Sequence, residues 1–537
     1  MTAGANPTSR ADLGLWRHRR AAAVRPLDRV VLVVLFVAGV LSVLRFADWW
    51  FRAGHVASTA LYVILSLAVW YGVVRIVLGW IDLLSVRRPG HRPAPEGLEV
   101  AIFTTAAPGE PPAMFETTLA ACAEVRYPHT TYLLDDTRDP RLREIAEAHG
   151  AVWLELLDVA GAKAGKINAA LAATDEEIVL VLDPDHVPFQ EFLDRVLGHF
   201  DDPEVGFVQV AQGYYNQRRS FTARGAAEQT YAFYGPTMMG LHGHGSNVAI
   251  GANCTFRRSA LESIGGHGIG LAEDLVTAIR LHAAGWRSVY VPEIVSRGLV
   301  PEDLGSFYRQ QLKWSRGVWE VLFSELPRAW GGLSIRQRLA YAAIGTYYLF
   351  GVTTLAYLAI PYLYLWAGIQ PASMRFADFV MNGAPVAMLA IAIYLYAQRW
   401  LTDRPRERGL HWRGLSLKVA CWPVYLAGTA LGILRREIPY VPTAKEARKG
   451  AFWTLAAPHL ALLALYAVTL AWTFWRRTVG TPEAYLALTS EAVWGMVAFA
   501  TASAAMVVGG VRAAWESRHP PVGGAWDAVP ERVGGEA

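Results

Sequence analysis

Apolar residues in this chain fall into runs of different length, and each length predicts a different element. Long, almost unbroken runs occupy residues 30–44, 58–80, 340–366, 379–396, 453–474 and 492–511. Runs near this length predict helices that cross a bilayer. Short branched runs are of another kind: Glu99-Val100-Ala101-Ile102-Phe103-Thr104, Thr131-Tyr132-Leu133-Leu134 and residues 176–182. These predict strands, and helical periodicity lies between them, as at 141–149. Strand–helix alternation from 97 to 326 predicts a soluble α/β domain with a mostly parallel, doubly wound sheet. A moderately apolar stretch, 415–434, is bounded by Lys418 and by Arg435-Arg436 and predicts an interfacial helix rather than a span.

Basic residues orient the six spans. Arg10, Arg17, Arg19, Arg20, Arg25 and Arg29 precede the first, and no small-residue cleavage site follows it, so it reads as an anchor and not a signal peptide. Arg87, Arg88 and Arg92 follow the second span, and Arg399, Arg404, Arg406, Arg408 and Arg413 follow the fourth. The positive-inside rule then puts both termini and the soluble domain on the cytoplasmic side. Arg75, late in the second span, is expected to snorkel to the interface. The expected organisation is a basic N-terminus (1–29), two spans (30–84), the soluble domain (97–326), interfacial helices with two spans (327–437), a loop (438–450), two spans (451–512) and a disordered cytosolic tail (513–537).

Composition agrees with that division. Hydrophobic residues are 53% and charged residues 18%, with mean hydropathy +0.23, which suits a membrane protein carrying a sizeable soluble part. A net charge of +4 is too small to argue for nucleic acid. Cys122, Cys254 and Cys421 are far apart and have no metal-site spacing, so buried thiols in a reducing compartment are expected.

Chemistry-bearing residues cluster where strands and helices are predicted to end or begin. Asp183 and Asp185 follow the run Ile178-Val179-Leu180-Val181-Leu182, and two carboxylates one residue apart beyond a parallel strand can share a hard divalent cation. Asp135-Asp136 ends another strand and could accept from a nucleoside; capping of a turn is its ordinary use. Lys163-Ala164-Gly165 opens a helix, a place that suits phosphate or simply solvent. Glu273-Asp274 opens another, where the helix dipole favours acids and where Asp274 could also serve as a general base. Gln310-Gln311-Leu312-Lys313-Trp314 lies before the membrane returns, where Trp and Lys either hold a sugar and a diphosphate or anchor a helix at the interface.

The succession D-D, K-A-G, D-x-D, E-D, Q-x-x-K-W between paired spans resembles the processive family-two glycosyltransferases, the cellulose synthases, hyaluronan synthases and their relatives. Asp183-Pro184-Asp185-His186-Val187-Pro188 is similar to the cellulose synthase form, and Tyr440-Val441-Pro442-Thr443-Ala444-Lys445 resembles the gating loop of bacterial cellulose synthase. Glu110-Pro111 retains part of that family's aromatic–Asn–Glu–Pro, and Lys313 stands where arginine is usual. The resemblance implies a GT-A type domain inserted between about six transmembrane helices. It also implies a membrane-embedded, inverting hexosyltransferase that polymerises a β-linked polysaccharide from a nucleotide sugar, UDP-glucose or a related UDP-sugar, and translocates it across the cytoplasmic membrane.

On that resemblance Asp135 and Asp136 would hold the nucleoside, and Asp183 and Asp185 the diphosphate and a Mg2+ or Mn2+ ion. Lys163 and Lys313 would neutralise phosphates. Asp274, with Glu273 beside it, would supply the base, Trp314 and Gln310 would hold the acceptor, and Thr443 and Lys445 would belong to the lid over the donor. The implied partners are the donor, a growing glycan and the lipid bilayer, with no nucleic acid; a periplasmic or accessory membrane subunit is allowed. No PilZ domain follows the last span, so no regulation by c-di-GMP in cis is expected. Non-processive transfer of one sugar to a lipid is the rival enzyme reading, and Q-x-x-K-W with the lid favours a polymer. A transporter is disfavoured because the spans carry no buried charge array. Tyr341, Tyr347, Tyr348, Tyr357, Tyr362, Tyr364, Trp366, Tyr394 and Tyr396 either line a glycan channel or serve packing and interfacial belts.

Overall fold

The computed structural model describes residues 14–478 and 490–530. Arg10 and residues 531–537, parts of the expected basic N-terminus and tail, lie outside the described residues.

A nine-stranded sheet forms the centre of the soluble part. Its strands are β1 (Arg19–Arg20), β2 (Val100–Ala106), β3 (Thr130–Asp135), β4 (Val152–Glu155), β5 (Ile178–Leu182), β6 (Val187–Pro188), β7 (Val205–Tyr214), β8 (Cys254–Arg257) and β9 (Arg287–Gly298). They run in the order β1-β9-β7-β8-β5-β2-β3-β4, with β6 on β9. The half carrying β5, β2, β3 and β4 is parallel, as the strand–helix alternation implied. Beyond it β8 pairs antiparallel with both β5 and β7, so the sheet is mixed though mostly parallel. Every residue of β5 and β2 is buried, the signature of strands covered on both faces.

Among the described residues, six helices are long and apolar enough to cross a membrane: Pro26–Trp50, Thr59–Leu84, Ile335–Ala367, Phe376–Trp400, Phe452–Thr478 and Ser490–Glu516. Their outer apolar side chains are bare, as with Leu27, Val34 and Leu41, which suits lipid as the solvent. The third is interrupted by a 3-10 turn at Tyr347–Leu349. The single interfacial helix expected at 415–434 is two, Trp412–Ala420 and Trp422–Ile433, bent by 50°. Pro423 lies in the first turn of the second helix, where its missing N–H costs nothing and a new helix starts readily. Arg75 does not snorkel alone; it donates to the Ala343 carbonyl and sits 5.4 Å from the Tyr347 ring centroid. Tyr341 bonds His282, Tyr348 packs edge-on against Tyr425, and Trp366 stacks on Trp472, so these three aromatics serve packing.

The soluble and membrane parts are joined by buried charge. Arg297 on β9 donates to Asp403, just past the fourth span, at 2.9 Å, and both are 1% exposed. Removing one partner would leave the other an uncompensated buried charge. The tail expected to be disordered is ordered through residue 530. The last long helix runs to Glu516, and Trp526 is buried among Met114, Phe115 and Leu119 of the soluble domain. Burying one indole offsets the ordering of a short Gly- and Pro-rich segment, which composition alone does not reveal. All three cysteines are buried and free.

Candidate active site

Parallel register brings the carboxyl ends of β2, β3 and β5 to one edge, with Ala106 beside Asp135 and Thr104 beside Leu182. Asp135 is buried and engaged at both oxygens, accepting from the Thr137 backbone N–H at 2.8 Å and from Trp153 Nε1 at 3.0 Å. Asp136 pairs with Lys166 Nζ at 3.0 Å, and Lys166 also donates to the Ala106 carbonyl. The ordinary turn-capping use of Asp135 is therefore real, and Asp136 is the more open of the two.

The D-x-D carboxylates are each met by a lysine from a distant segment. Lys163, at the start of helix Ala162–Ala173, donates to Asp183 Oδ1 and to the Gly251 carbonyl. Lys445 of the 438–450 loop donates to Asp185 Oδ1 at 2.6 Å, and Asp185 Oδ2 accepts from the Leu299 backbone N–H at 2.9 Å. Burial works against both carboxylates, but Lys163 and Lys445 hold Asp183 below the usual range and Lys445 with His186 holds Asp185 far below it. Asp183, Asp185 and His186 place their ligand atoms within 4.8 Å of one another. His186 is buried against Gly298, and neither ring nitrogen makes a hydrogen bond. Two ionised carboxylates beside this imidazole, whose Nδ1 approaches Asp185 Oδ1 at 3.7 Å, fit a divalent cation.

Asp274 opens helix Glu273–Ala283. Its Oδ2 accepts from the Gly251 N–H at 2.8 Å and its Oδ1 from the Leu275 N–H at 2.8 Å. Burial raises its pKa above the ordinary aspartate value. Burial, reinforced by the Asp274 charge, raises that of Glu273 to about 7. Two backbone N–H groups donate to Asp274 and favour its ionised form, whereas burial and that charge favour the neutral form of Glu273, as suits a base with a neutral neighbour. Burial likewise raises Glu110 to about 7, although Lys445 opposes it.

Residue Gly251 connects the two halves: its carbonyl receives Lys163 and its N–H serves Asp274. Gln209 of β7, fully buried, sets this loop. Its Oε1 accepts from Ile250 N–H at 2.8 Å, and its Nε2 faces the carbonyls of Val210, Ala252 and Asn253 at 3.0–3.1 Å.

Q-x-x-K-W lies on helix Leu304–Glu320, which packs on helix Trp422–Ile433 through Gly428 and Gly432, where an added Cβ would strike Ser315 and Trp319. The helix faces the 438–450 loop: Gln310 Nε2 is 3.5 Å from Thr443 Oγ1, and Lys313 Nζ is 4.5 Å from the Tyr440 ring centroid. Burial lowers the Lys313 pKa, with Glu273 and Asp183 opposing. Trp314 stays 42% exposed.

Gly251 thus connects Lys163 and Asp183 with Asp274, the Asp185–Lys445 pair lies beside Asp183, and the Gln310–Thr443 and Lys313–Tyr440 contacts tie the Q-x-x-K-W helix to the 438–450 loop. Asp135 and Asp136 lie at the neighbouring strand end. The sequence reading missed Lys166, His186 and Gln209. Lys166 and His186 were legible as neighbours of the motifs, whereas nothing local marks Gln209, whose loop partners Ile250, Ala252 and Asn253 are more than 40 residues away.

Residues 178–371 match glycosyl transferase family group 2. The UDP-forming cellulose synthase catalytic subunit of Komagataeibacter sucrofermentans is 27% identical over 388 residues, 69% of this chain and 50% of that one. The corresponding subunit of Xanthomonas axonopodis pv. citri is 29% identical over 350 residues, 62% of this chain and 48% of that one. The chain is cellulose synthase-like in sequence, and residues 178–371 carry the match to glycosyl transferase family group 2. The cellulose synthase-like chain spans about half the length of these two relatives, and 24% of the putative cellulose synthase 2 of Komagataeibacter xylinus, which is 28% identical over 361 residues, 64% of this chain. Among solved structures, the mannosyltransferase PcManGT from Pyrobaculum calidifontis, in complex with GDP-Man and Mn2+, superposes with a TM-score of 0.50 at 20% identity, covering 70% of this chain and all of that one. The soluble domain of the cellulose synthase-like protein is therefore of the GT-A type.

Proposed function

We propose that this protein is an inverting hexosyltransferase of the cytoplasmic membrane that polymerises a β-linked glucan from UDP-glucose, with its catalytic domain in the cytosol, and passes the product out through its own helices. The observation that carries the reading is the lid contact: Lys445 reaches Asp185 of the D-x-D, while Thr443 and Tyr440 of the same loop meet Gln310 and Lys313 of Q-x-x-K-W. Donor-side and acceptor-side motifs thus share one cover, which suits repeated transfer with water kept out.

Asp183 and Asp185, with His186 beside them, would hold a Mg2+ or Mn2+ ion. When bound, the ion stabilises charge on a leaving diphosphate. Lys163, Lys313 and Lys445 add positive charge around that group, and Asp136 offers an acceptor to the nucleoside. Asp274, ionised while Glu273 keeps its proton, takes the proton of the acceptor hydroxyl as its oxygen attacks the anomeric carbon and the bond to the diphosphate breaks. Attack from the face opposite the leaving group inverts the configuration. Trp314 and Gln310 stand where the acceptor sugar would stack and hydrogen-bond.

The test is to supply the purified protein, in vesicles with Mg2+ or Mn2+, with radiolabelled UDP- and GDP-sugars, and to size the products after digestion with linkage-specific hydrolases. A long β-glucan from UDP-glucose is expected. A single sugar on an extractable lipid would refute polymerisation.

A further inference from the structure

A second concave site, sharing no residue with the D-x-D site, lies where the soluble domain meets the ends of two membrane helices. It is a pocket of about 290 Å³ between β1 and the segment leaving helix Phe376–Trp400. His18, Arg19 and Arg20 line one wall, and Arg399 and Arg404 the other. No carboxylate lines it. The nearest acids lie beneath and are already engaged. Asp28 is 1% exposed and accepts from the Arg25 backbone N–H at 2.9 Å and from Tyr396 Oη at 3.0 Å, with Arg399 also on it. Asp403 is 1% exposed and paired with Arg297 at 2.9 Å and Arg19 at 3.7 Å. Glu293 is taken by His18 at 2.7 Å. Arg20 and Arg404 are exposed and make no ion pair among the described residues.

The chain therefore gathers guanidinium groups from two distant segments around one hollow and leaves the charges of Arg20 and Arg404 without an ion pair at its mouth. Like charges converging on a cavity are unfavourable unless an anion joins them. Planar guanidinium forks match the paired oxygens of a phosphate. The depth is set by the helices: Pro26 begins one candidate span and Trp400 ends another, and the pocket lies at those two ends. If those helices cross the bilayer with the basic N-terminus inside, the pocket is level with the headgroups of the inner leaflet, where basic hollows beside spans attract anionic lipid.

We propose that this pocket binds the phosphate of an anionic phospholipid headgroup, holding the soluble domain against the membrane surface through β1. The proposal stands apart from the glycosyl-transfer reading, since none of these residues belongs to that site. The full chain, purified in mild detergent and stripped of lipid, would be offered phosphatidylglycerol or phosphatidylcholine, and retained lipid counted by native mass spectrometry alongside thermal melting. The wild type is expected to retain phosphatidylglycerol in preference and to melt higher with it. The exposed pair Arg20→Glu with Arg404→Glu should weaken that retention by at least about tenfold. Arg408→Glu, an exposed arginine of the same region outside the pocket, should leave it unchanged. An equal stabilisation by inorganic phosphate, lost in the same double variant, would keep the anion site and assign it to a soluble phosphate. Equal phosphatidylglycerol retention by the wild type and the double variant, or equal loss in Arg408→Glu, would overturn the proposal.

Discussion

Replacing Gln209 by Met asks whether the loop beneath the candidate base is positioned by one buried amide. Met approximates the length and volume of Gln, so little cavity is created. What is lost is hydrogen bonding: Ile250 N–H loses its acceptor, and the Val210 and Ala252 carbonyls lose a donor at 3.0 Å. Gln209 is fully buried, so water does not replace it readily. One orphaned donor and two orphaned acceptors, at about 1–3 kcal/mol each, cost about 3–9 kcal/mol together if the loop stays in place. The loop escapes much of that cost by moving, and movement displaces Gly251, which holds Asp274 Oδ2 at 2.8 Å and receives Lys163. A misplacement near 1 Å is worth on the order of 10² in rate. The assay is initial rate of UDP release against donor concentration, with thermal melting of the same preparation. Expected are a kcat lower by about 10² and a donor KM raised through Lys163, in a protein that still melts cooperatively. A kcat within about threefold of wild type, with melting lowered, would refute the reasoning and leave Gln209 a packing residue.

Asp274→Asn should reduce turnover by about 10²–10⁴-fold while donor binding, followed by calorimetry, stays near wild type, and retained activity would remove Asp274 as the base. Asp185→Asn should abolish the metal dependence of donor binding and free Lys445, seen as increased proteolysis within residues 438–450; unchanged cleavage would separate the lid from the D-x-D. Glu273 should make stability pH-dependent. Its carboxyl ionises near 4.5 when unfolded and near 7 when folded, so its contribution is complete below about 4.5 and is lost as pH rises through about 7. Melting of ligand-free wild type should therefore fall across that window relative to Glu273→Gln, and parallel curves would contradict the burial argument. Trp526→Ala should release the tail, raising hydrogen exchange over 518–530 and in the 438–450 loop, because Ser517 accepts from Gly450 N–H at 2.7 Å; protection unchanged in both would disconnect them.

The sequence by itself determined which stretches enter lipid and which fold in water, because apolar run length answers directly to bilayer thickness and to strand length. It also determined that Asp183 and Asp185 stand at a strand's carboxyl end, since Ile178–Leu182 is a branched run stopped by Pro184. Local signals reached as far as the helix starts at Lys163 and Glu273. Tertiary structure decided the rest. That Lys445 lies on Asp185 depends on a pairing across 260 residues. Gln209 shapes a loop more than 40 residues away for the same reason. The antiparallel entry of β8 between β5 and β7 has no local sign either, because a buried strand reads alike in both directions. Glycine and proline predict disorder over 513–537, and Trp526 overrides it as far as residue 530 by finding an apolar site beside Met114, Phe115 and Leu119 of the soluble domain. Local composition fixes what a segment prefers, while long-range burial decides which preferences are met.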